Sequence, residues 1–160
     1  MRKILALFLA AMMMLCCASA FAEGTFRVGM ECNYAPYNWT QANASEYAVE
    51  IEGGGGYADG YDVMIAKNIA DQLGKELVIK QVSWDSLIPA LGTGDIDAVI
   101  AGMTANEERE QAADFTTPYY DSQGMIMIVR KDSDQASYTD IQQFSGQNVV
   151  GQLGTNYDDV

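Results

Sequence analysis

The sequence predicts an α/β fold in which parallel strands alternate with crossover helices. Three observations point there. From Tyr61 onward the chain reads helix, strand, helix, strand, helix, the alternation that lays parallel strands side by side. Residues 97–100 form a short apolar, β-branched run introduced by the turn Gly92-Thr93-Gly94-Asp95. Directly behind that run, Gly102, Thr104 and Arg109 form a strand-to-helix join with chemical content. In sheets of this kind ligands gather beyond the carboxyl ends of the strands, where the loops sit.

The join around Gly102 is the stretch on which the rest is organised. Gly102 breaks the apolar run where another backbone or a ligand can come close. Thr104 stands three residues before Glu107, the spacing of a capping box, with Asn106 as a competing cap, so a helix is expected over 107–113. A helix start offers free N–H groups to a negative group, and an arginine grips a carboxylate with two parallel hydrogen bonds. The plainer alternative is an ordinary strand–helix join with Arg109 solvated or paired to Glu107 or Glu108.

In chain order, residues 1–22 read as a secretory signal. Arg2 and Lys3 are a basic start, residues 4–15 an apolar run too short to favour a membrane span, and Ala20-Phe21-Ala22 a cleavage site before Glu23. Cys16 and Cys17 raise the alternative of a lipid anchor at Cys17. The residues three places before them are Met13 and Met14, where a lipidation site usually has leucine, so plain cleavage is favoured.

The remainder is long enough for one domain with a sizeable core. The formal charge of −13 becomes more negative once Arg2 and Lys3 are removed, which argues against nucleic acid or an anionic membrane surface as partner. Beyond the signal the single cysteine is Cys32, so no intramolecular disulfide can form. The chain has no histidine, which removes Ser-His-Asp and Cys-His catalysis and imidazole metal sites. Cys32 is read as a small half-buried thiol.

Residues 25–30 have strand character, with Phe26, Val28 and Met30 on one face. They lead into an aromatic loop, Glu31 to Tyr37, in which Pro36 sets the turn and Asn38 and Trp39 are expected at an exposed surface. Gly53 to Gly56 is a loop tip and not a phosphate cradle, since no Lys-Ser/Thr pair comes after it. Asp59-Gly60-Tyr61-Asp62 opens the best helix, with Ala66, Ile69, Ala70 and Leu73 on one face and Gly74 as its C-cap. Residues 76–82 alternate as a strand, and Ser83 or Asp85 can cap a short helix carrying Leu87, Ile88 and Leu91. Residues 114–120 are irregular and aromatic, and 124–130 read as a strong strand. Residues 131–134 read as a boundary, 138–144 as a short helix capped at Ser137 or Thr139, and 148–151 as a strand. Gly154-Thr155-Asn156 is a second strand-to-helix turn, after which a helix should start at the final residues.

Taken together, these segments resemble the extracytoplasmic amino-acid-binding proteins of ABC importers, the polar amino-acid family of solute receptors (family 3). The motifs in order are Arg27-Val28-Gly29 leading to Tyr34-Ala35-Pro36-Tyr37; Gly60-Tyr61-Asp62-Val63; Trp84 to Leu91; Asp95-Ile96-Asp97-Ala98; Gly102-Met103-Thr104 through Arg109; Phe115-Thr116 to Tyr120; and Gly154-Thr155. Each is weak alone; seven in order are strong.

The resemblance implies a periplasmic-binding-protein-like α/β fold of type II, with two lobes joined at a hinge and closing on a ligand. The first lobe would occupy residues 23–129, and residues 130–160 the hinge and the start of a second, incomplete lobe, as in a C-terminally truncated chain. It also implies that Arg109 binds the ligand α-carboxylate, helped by Thr104 and by Thr155-Asn156. The Gly102 carbonyl and the Thr104 hydroxyl would accept from the α-ammonium, within the stretch Gly102-Met103-Thr104. Tyr34 and Trp84 would sandwich the ligand side chain, and Glu31 would lie near its far end, where it would favour a Lys-, Arg- or ornithine-like ligand. Where many relatives carry serine before Gly102, this chain has Ala101. The implied partners are an L-amino acid and an ABC permease in the cytoplasmic membrane, with a monomeric receptor, no cofactor and no metal. The implied location is the periplasm or the outer face of the cytoplasmic membrane. Three alternatives stand beside this one: a dehydratase on the same fold, for which Glu31 is the one acid–base candidate, a sensor input domain, and a truncated fragment that does not bind.

Overall fold

The computed structural model describes residues 24–121 and 124–157. The signal over residues 1–22, with Cys16 and Cys17, and the helix start expected at the final residues lie outside them. The chain divides into two compact units, one running to Phe115 and the other from Thr116. The lobe boundary expected from the sequence is at 129/130.

The first unit is built on β1 (Thr25–Met30), the central strand of a three-stranded parallel sheet. β6 (Glu76–Gln81) pairs along its whole length on one side, and β7 (Ala98–Val99) adds on the other. A central strand is covered on both faces, and β1 meets that requirement with Phe26, Val28, Gly29 and Met30 all buried. Gly29 is a matter of space: a Cβ there would stand 2.5 Å from Ile96 Cδ1 and 3.1 Å from Leu87 Cδ2, so side chains pack directly on the bare strand.

α1 (Tyr61–Leu73) ends at Gly74, which adopts the left-handed conformation with φ 61° as a helix C-cap. Its buried stripe is Asp62, Val63, Ala66 and Ala70; Ile69 and Leu73, expected on that face, are exposed. The small alanines bring the helix backbone close to the sheet, and the bulkier residues fall to the flank. A 3₁₀ turn, Trp84–Ser86, runs straight into α2 (Leu87–Thr93), whose Leu87 is fully buried.

A second sheet, not anticipated from the sequence, occupies the stretch between β1 and α1. It comprises β2 (Asn33–Tyr34), β3 (Asn38–Gln41), β4 (Val49–Glu50) and β5 (Tyr57–Asp59), antiparallel in the order β2-β3-β5-β4. Its strands have two to four residues and little apolar alternation, so periodicity could not reveal them. The sheet joins the first at Ile51, which bridges to Ile79, and Glu52 N–H donates to the Ile79 carbonyl at 2.8 Å. The two sheets and α1 enclose one core, which includes Val28, Met30, Ile51, Ala58, Val63 and Ile79.

Arg27 fastens the turn before β7. Its guanidinium makes two hydrogen bonds to the Asp97 carboxylate, at 2.7 and 3.1 Å, and its backbone N–H a third at 2.8 Å. These bonds to Arg27 lower the Asp97 carboxyl to a pKa of about 2.

In the second unit the described structure consists of loops and two short 3₁₀ turns, Asp134–Ser137 and Ile141–Phe144. The strands expected over 124–130 and 148–151 do not form there, and the helix expected over 138–144 is reduced to a single turn. That turn is capped by Asp140, whose carboxylate accepts from Gln142 N–H while the Gln143 side chain accepts from Asp140 N–H. The caps expected at Ser137 or Thr139 are displaced because Gln143, three residues after Asp140, completes a capping box with it.

Candidate functional site

The three parallel strands point their carboxyl ends the same way, and the segments beyond them carry the predicted residues of the first unit. Glu31 comes directly after β1, half-buried, and its carbonyl accepts from Gln81 Nε2 at 3.1 Å. Tyr34 lies in the hairpin after β1, Trp84 in the turn after β6, and Gly102, Met103 and Thr104 after β7.

Two pairs of these residues meet. The Tyr34 ring lies over Gly102: a Cβ at Gly102 would stand 3.2 Å from Tyr34 Cε1. Gly102 also has φ 63°, in the left-handed region, so both conformation and ring favour glycine here. Tyr34 in turn stacks on Tyr37, with centroids 5.0 Å apart. In the other pair, the Arg109 guanidinium carbon sits 5.3 Å from the Trp84 ring centroid. Arg109 Nη1 donates to the Thr104 carbonyl at 2.7 Å. The guanidinium is therefore oriented by an aromatic face and a carbonyl. A cation–π contact of this kind contributes about 0.5–2 kcal/mol.

The helix expected at Thr104 is not there. Asn106 provides the cap, its Oδ1 accepting from Arg109 N–H at 2.9 Å, and the chain continues as a 3₁₀ turn, Arg109–Gln111. A turn that short has no useful dipole, so any anion binding here falls to the Arg109 side chain. Asn106 was the competing cap; its short amide reaches the third N–H ahead, and Thr104 is left to receive Arg109.

Met103 packs partly buried against the core, while Thr104 and Gly102 are exposed. Thr155 and Asn156 belong to the second unit, where Thr155 Oγ1 donates to the Gln152 carbonyl at 2.6 Å and accepts from Tyr157 N–H at 3.3 Å. An open depression of about 490 Å³, walled by Glu52, Lys80, Val82, Ser86 and Ala90, involves none of the predicted residues, and its lysine is paired with Glu52 at 3.1 Å.

Sequence reasoning missed Asn38, expected at an exposed surface and in fact fully buried. Its Oδ1 accepts from Cys32 N–H at 2.9 Å, and its Nδ2 donates to the buried Asp62 carboxylate at 2.7 Å. The available signal was Asp62, a carboxylate in the first turn of a helix with an apolar neighbour on the buried face. Cys32 itself is buried, and burial pushes its thiol up to about 11, which keeps it protonated and inert at neutral pH.

Residues 26–144 match the family of bacterial extracellular solute-binding proteins, family 3. The chain is 32% identical over 131 residues to a probable histidine-binding protein of Campylobacter jejuni, covering 82% of this chain and 45% of that protein. It is 32% identical over 139 residues to a putative ABC transporter arginine-binding protein 2 of Escherichia coli, covering 87% and 50%. Among solved structures, the arginine-bound form of truncated ArgBP from T. maritima superposes with a TM-score of 0.57 at 40% identity, covering 69% of this chain and 46% of that one. The arginine-bound form of a point mutant of domain 1 from TmArgBP gives 0.52 at 39% identity, covering 63% and 69%. The chain spans about half the length of the curated relatives it matches. The parallel sheet with its crossover helices is thus part of a periplasmic-binding-protein-like fold of type II. With most of its length matched by one family, the chain belongs to the bacterial extracellular solute-binding proteins of family 3.

Proposed function

We propose that this chain is the solute-capturing part of an ABC importer, binding an L-amino acid outside the cytoplasmic membrane and handing it to a permease. It acts as a monomer and a binder, not as a dehydratase or other enzyme. The observation that carries the proposal is Arg109, held over Trp84 and against the Thr104 carbonyl. A guanidinium so oriented does not have to be ordered when the ligand arrives, and its fork matches a carboxylate with two charge-assisted hydrogen bonds. Tyr34 and Trp84 provide aromatic faces for the ligand side chain, and the Gly102 carbonyl and Thr104 hydroxyl are the acceptors assigned to its ammonium group. Glu31, half-buried beyond β1, favours a cationic side chain. Relatives named for arginine support that preference, although others are named for histidine, cystine and glutamine. For Met103, Thr155 and Asn156 a ligand role is tested by substitution.

The test is a thermal melt of residues 23–160 with each L-amino acid in turn, then calorimetry on Arg109→Ala. A transition raised by one ligand class identifies it. Loss of the carboxylate anchor should cost about 2–5 kcal/mol, tens- to thousands-fold in Kd. Unchanged affinity in Arg109→Ala would remove the assigned role.

A further inference from the structure

Among the described residues, the fully buried polar side chains are Asn38 and Asp62, and they are hydrogen-bonded to each other. A buried carboxylate is costly to desolvate, and an apolar pair of similar size would fill the same space without that cost. What the polar pair adds is direction, because a satisfied hydrogen-bond network admits one geometry.

The geometry it fixes is that of the hairpin carrying Tyr34. Asn38 stands directly opposite Tyr34 in the β2–β3 pairing. Its two amide ends reach in opposite directions, to the Cys32 N–H at the start of the hairpin and to Asp62 in the first turn of α1. Backbone bonds run along the same path: Asp62 N–H donates to the Tyr37 carbonyl at 2.8 Å, Tyr61 N–H to the Pro36 carbonyl at 3.2 Å, and Tyr37 N–H to the Tyr34 carbonyl at 2.9 Å. Gly60, at φ 126°, lets this contact close, since a Cβ there would collide with the Tyr37 carbonyl. The far end of the hairpin is the Tyr34 ring over Gly102.

We infer that Asn38 and Asp62 are positioning residues, holding the Tyr34 hairpin against α1 so that its ring is set over Gly102 on the ligand-binding face. The functional part of this inference rests on the amino-acid-binding reading; the geometric part does not.

The experiment has two arms. In the first, nuclear Overhauser contacts between the Tyr34 ring and the Gly102 α-protons are recorded on labelled protein without ligand, with Val28–Ile79 contacts between β1 and β6 as the control. The Tyr34–Gly102 contact is expected in the wild type and in Asp62→Asn, which keeps an acceptor oxygen. It is expected to vanish in Asn38→Ala and in Asn38→Ser, whose side chain is too short to reach Asp62, while the control persists. A contact that survives Asn38→Ser, or is missing in the wild type, overturns the inference. Loss of the control together with the contact in both Asn38 variants makes the pair a folding element and overturns it too. In the second arm, L-arginine binding is measured by calorimetry. Asn38→Ser should weaken it about tenfold, and the same change in a Tyr34→Ala background should have no further effect. Equal weakening in both backgrounds overturns the role of Tyr34 as intermediary. A wild type that binds no L-amino acid refutes the binding reading, and the first arm still decides the positioning.

Discussion

Residues 25–30 and 125–129 both read as strands in the sequence, yet they end in opposite states. Val28 and Met30 are fully buried in the middle of a parallel sheet, whereas Ile126 and Ile128 are 82% and 89% exposed. Among the described residues, the buried side chains all belong to the first unit. The difference teaches that an apolar run is an offer and not a strand. β1 has β6 paired along its whole length, β7 beside Val28 and Gly29, and Leu87 of α2 packed on its face. Residues 125–129 have no paired strand among the described residues, and β structure is made by the partner as much as by the run itself.

The sharpest way to test this contrast is to truncate matched residues on each side of it. Leu87→Ala, in the core of the first unit, should cost about 2–5 kcal/mol in urea unfolding. Ile128→Ala should stay within about 0.5 kcal/mol, because the side chain is already in water. Comparable losses would mean that 125–129 is packed in solution, and the contrast would fail.

A smaller effect is expected from Asp97→Asn. The folded-state carboxyl titrates near 2, below its ordinary 3.8, because Arg27 donates to it. Its contribution is therefore present above about pH 4 and lost as the pH falls through about 2. Both side chains are about one-third exposed, so the loss should be below about 1 kcal/mol. Urea midpoints at pH 7, 4 and 2.5 should converge between wild type and mutant as the pH drops. A constant gap would show that the pair does not titrate as assigned.

The smallest effect is a change in rate. Cys32 should resist alkylation at neutral pH until the first unit unfolds, as read by mass spectrometry of its peptide. Rapid modification of the native protein would mean that the first unit opens at the end of β1.

Much of the first unit was legible because its signals are local. The β1 strand, α1 with its Gly74 cap, β6 and the short helix at Leu87 each announce themselves within a few residues, through periodicity, a cap or a turn. The four strands of the second sheet were not legible, since strands of two to four residues carry too little pattern to distinguish them from loop. At the site, Tyr34, Trp84, Gly102 and Arg109 could be named from their places after strands. Thr104 could not be placed, because Thr104 has the capping-box spacing to Glu107 while Asn106 is a good cap by residue type, and the choice depends on where the Arg109 side chain goes.

The sequence by itself determined the parallel α/β order, the acidic, histidine-free composition that excludes several chemistries, and the motifs that mark the family. These arise from local propensity and composition, which need no partner. Only the tertiary structure decided that Asn38 is buried against Asp62, that the Tyr34 ring meets Gly102, that Arg109 sits over Trp84, and that 125–129 stays exposed. Each of those is a meeting of residues distant in the chain, or the lack of one, and which distant groups meet is settled by packing and hydrogen-bond satisfaction in three dimensions.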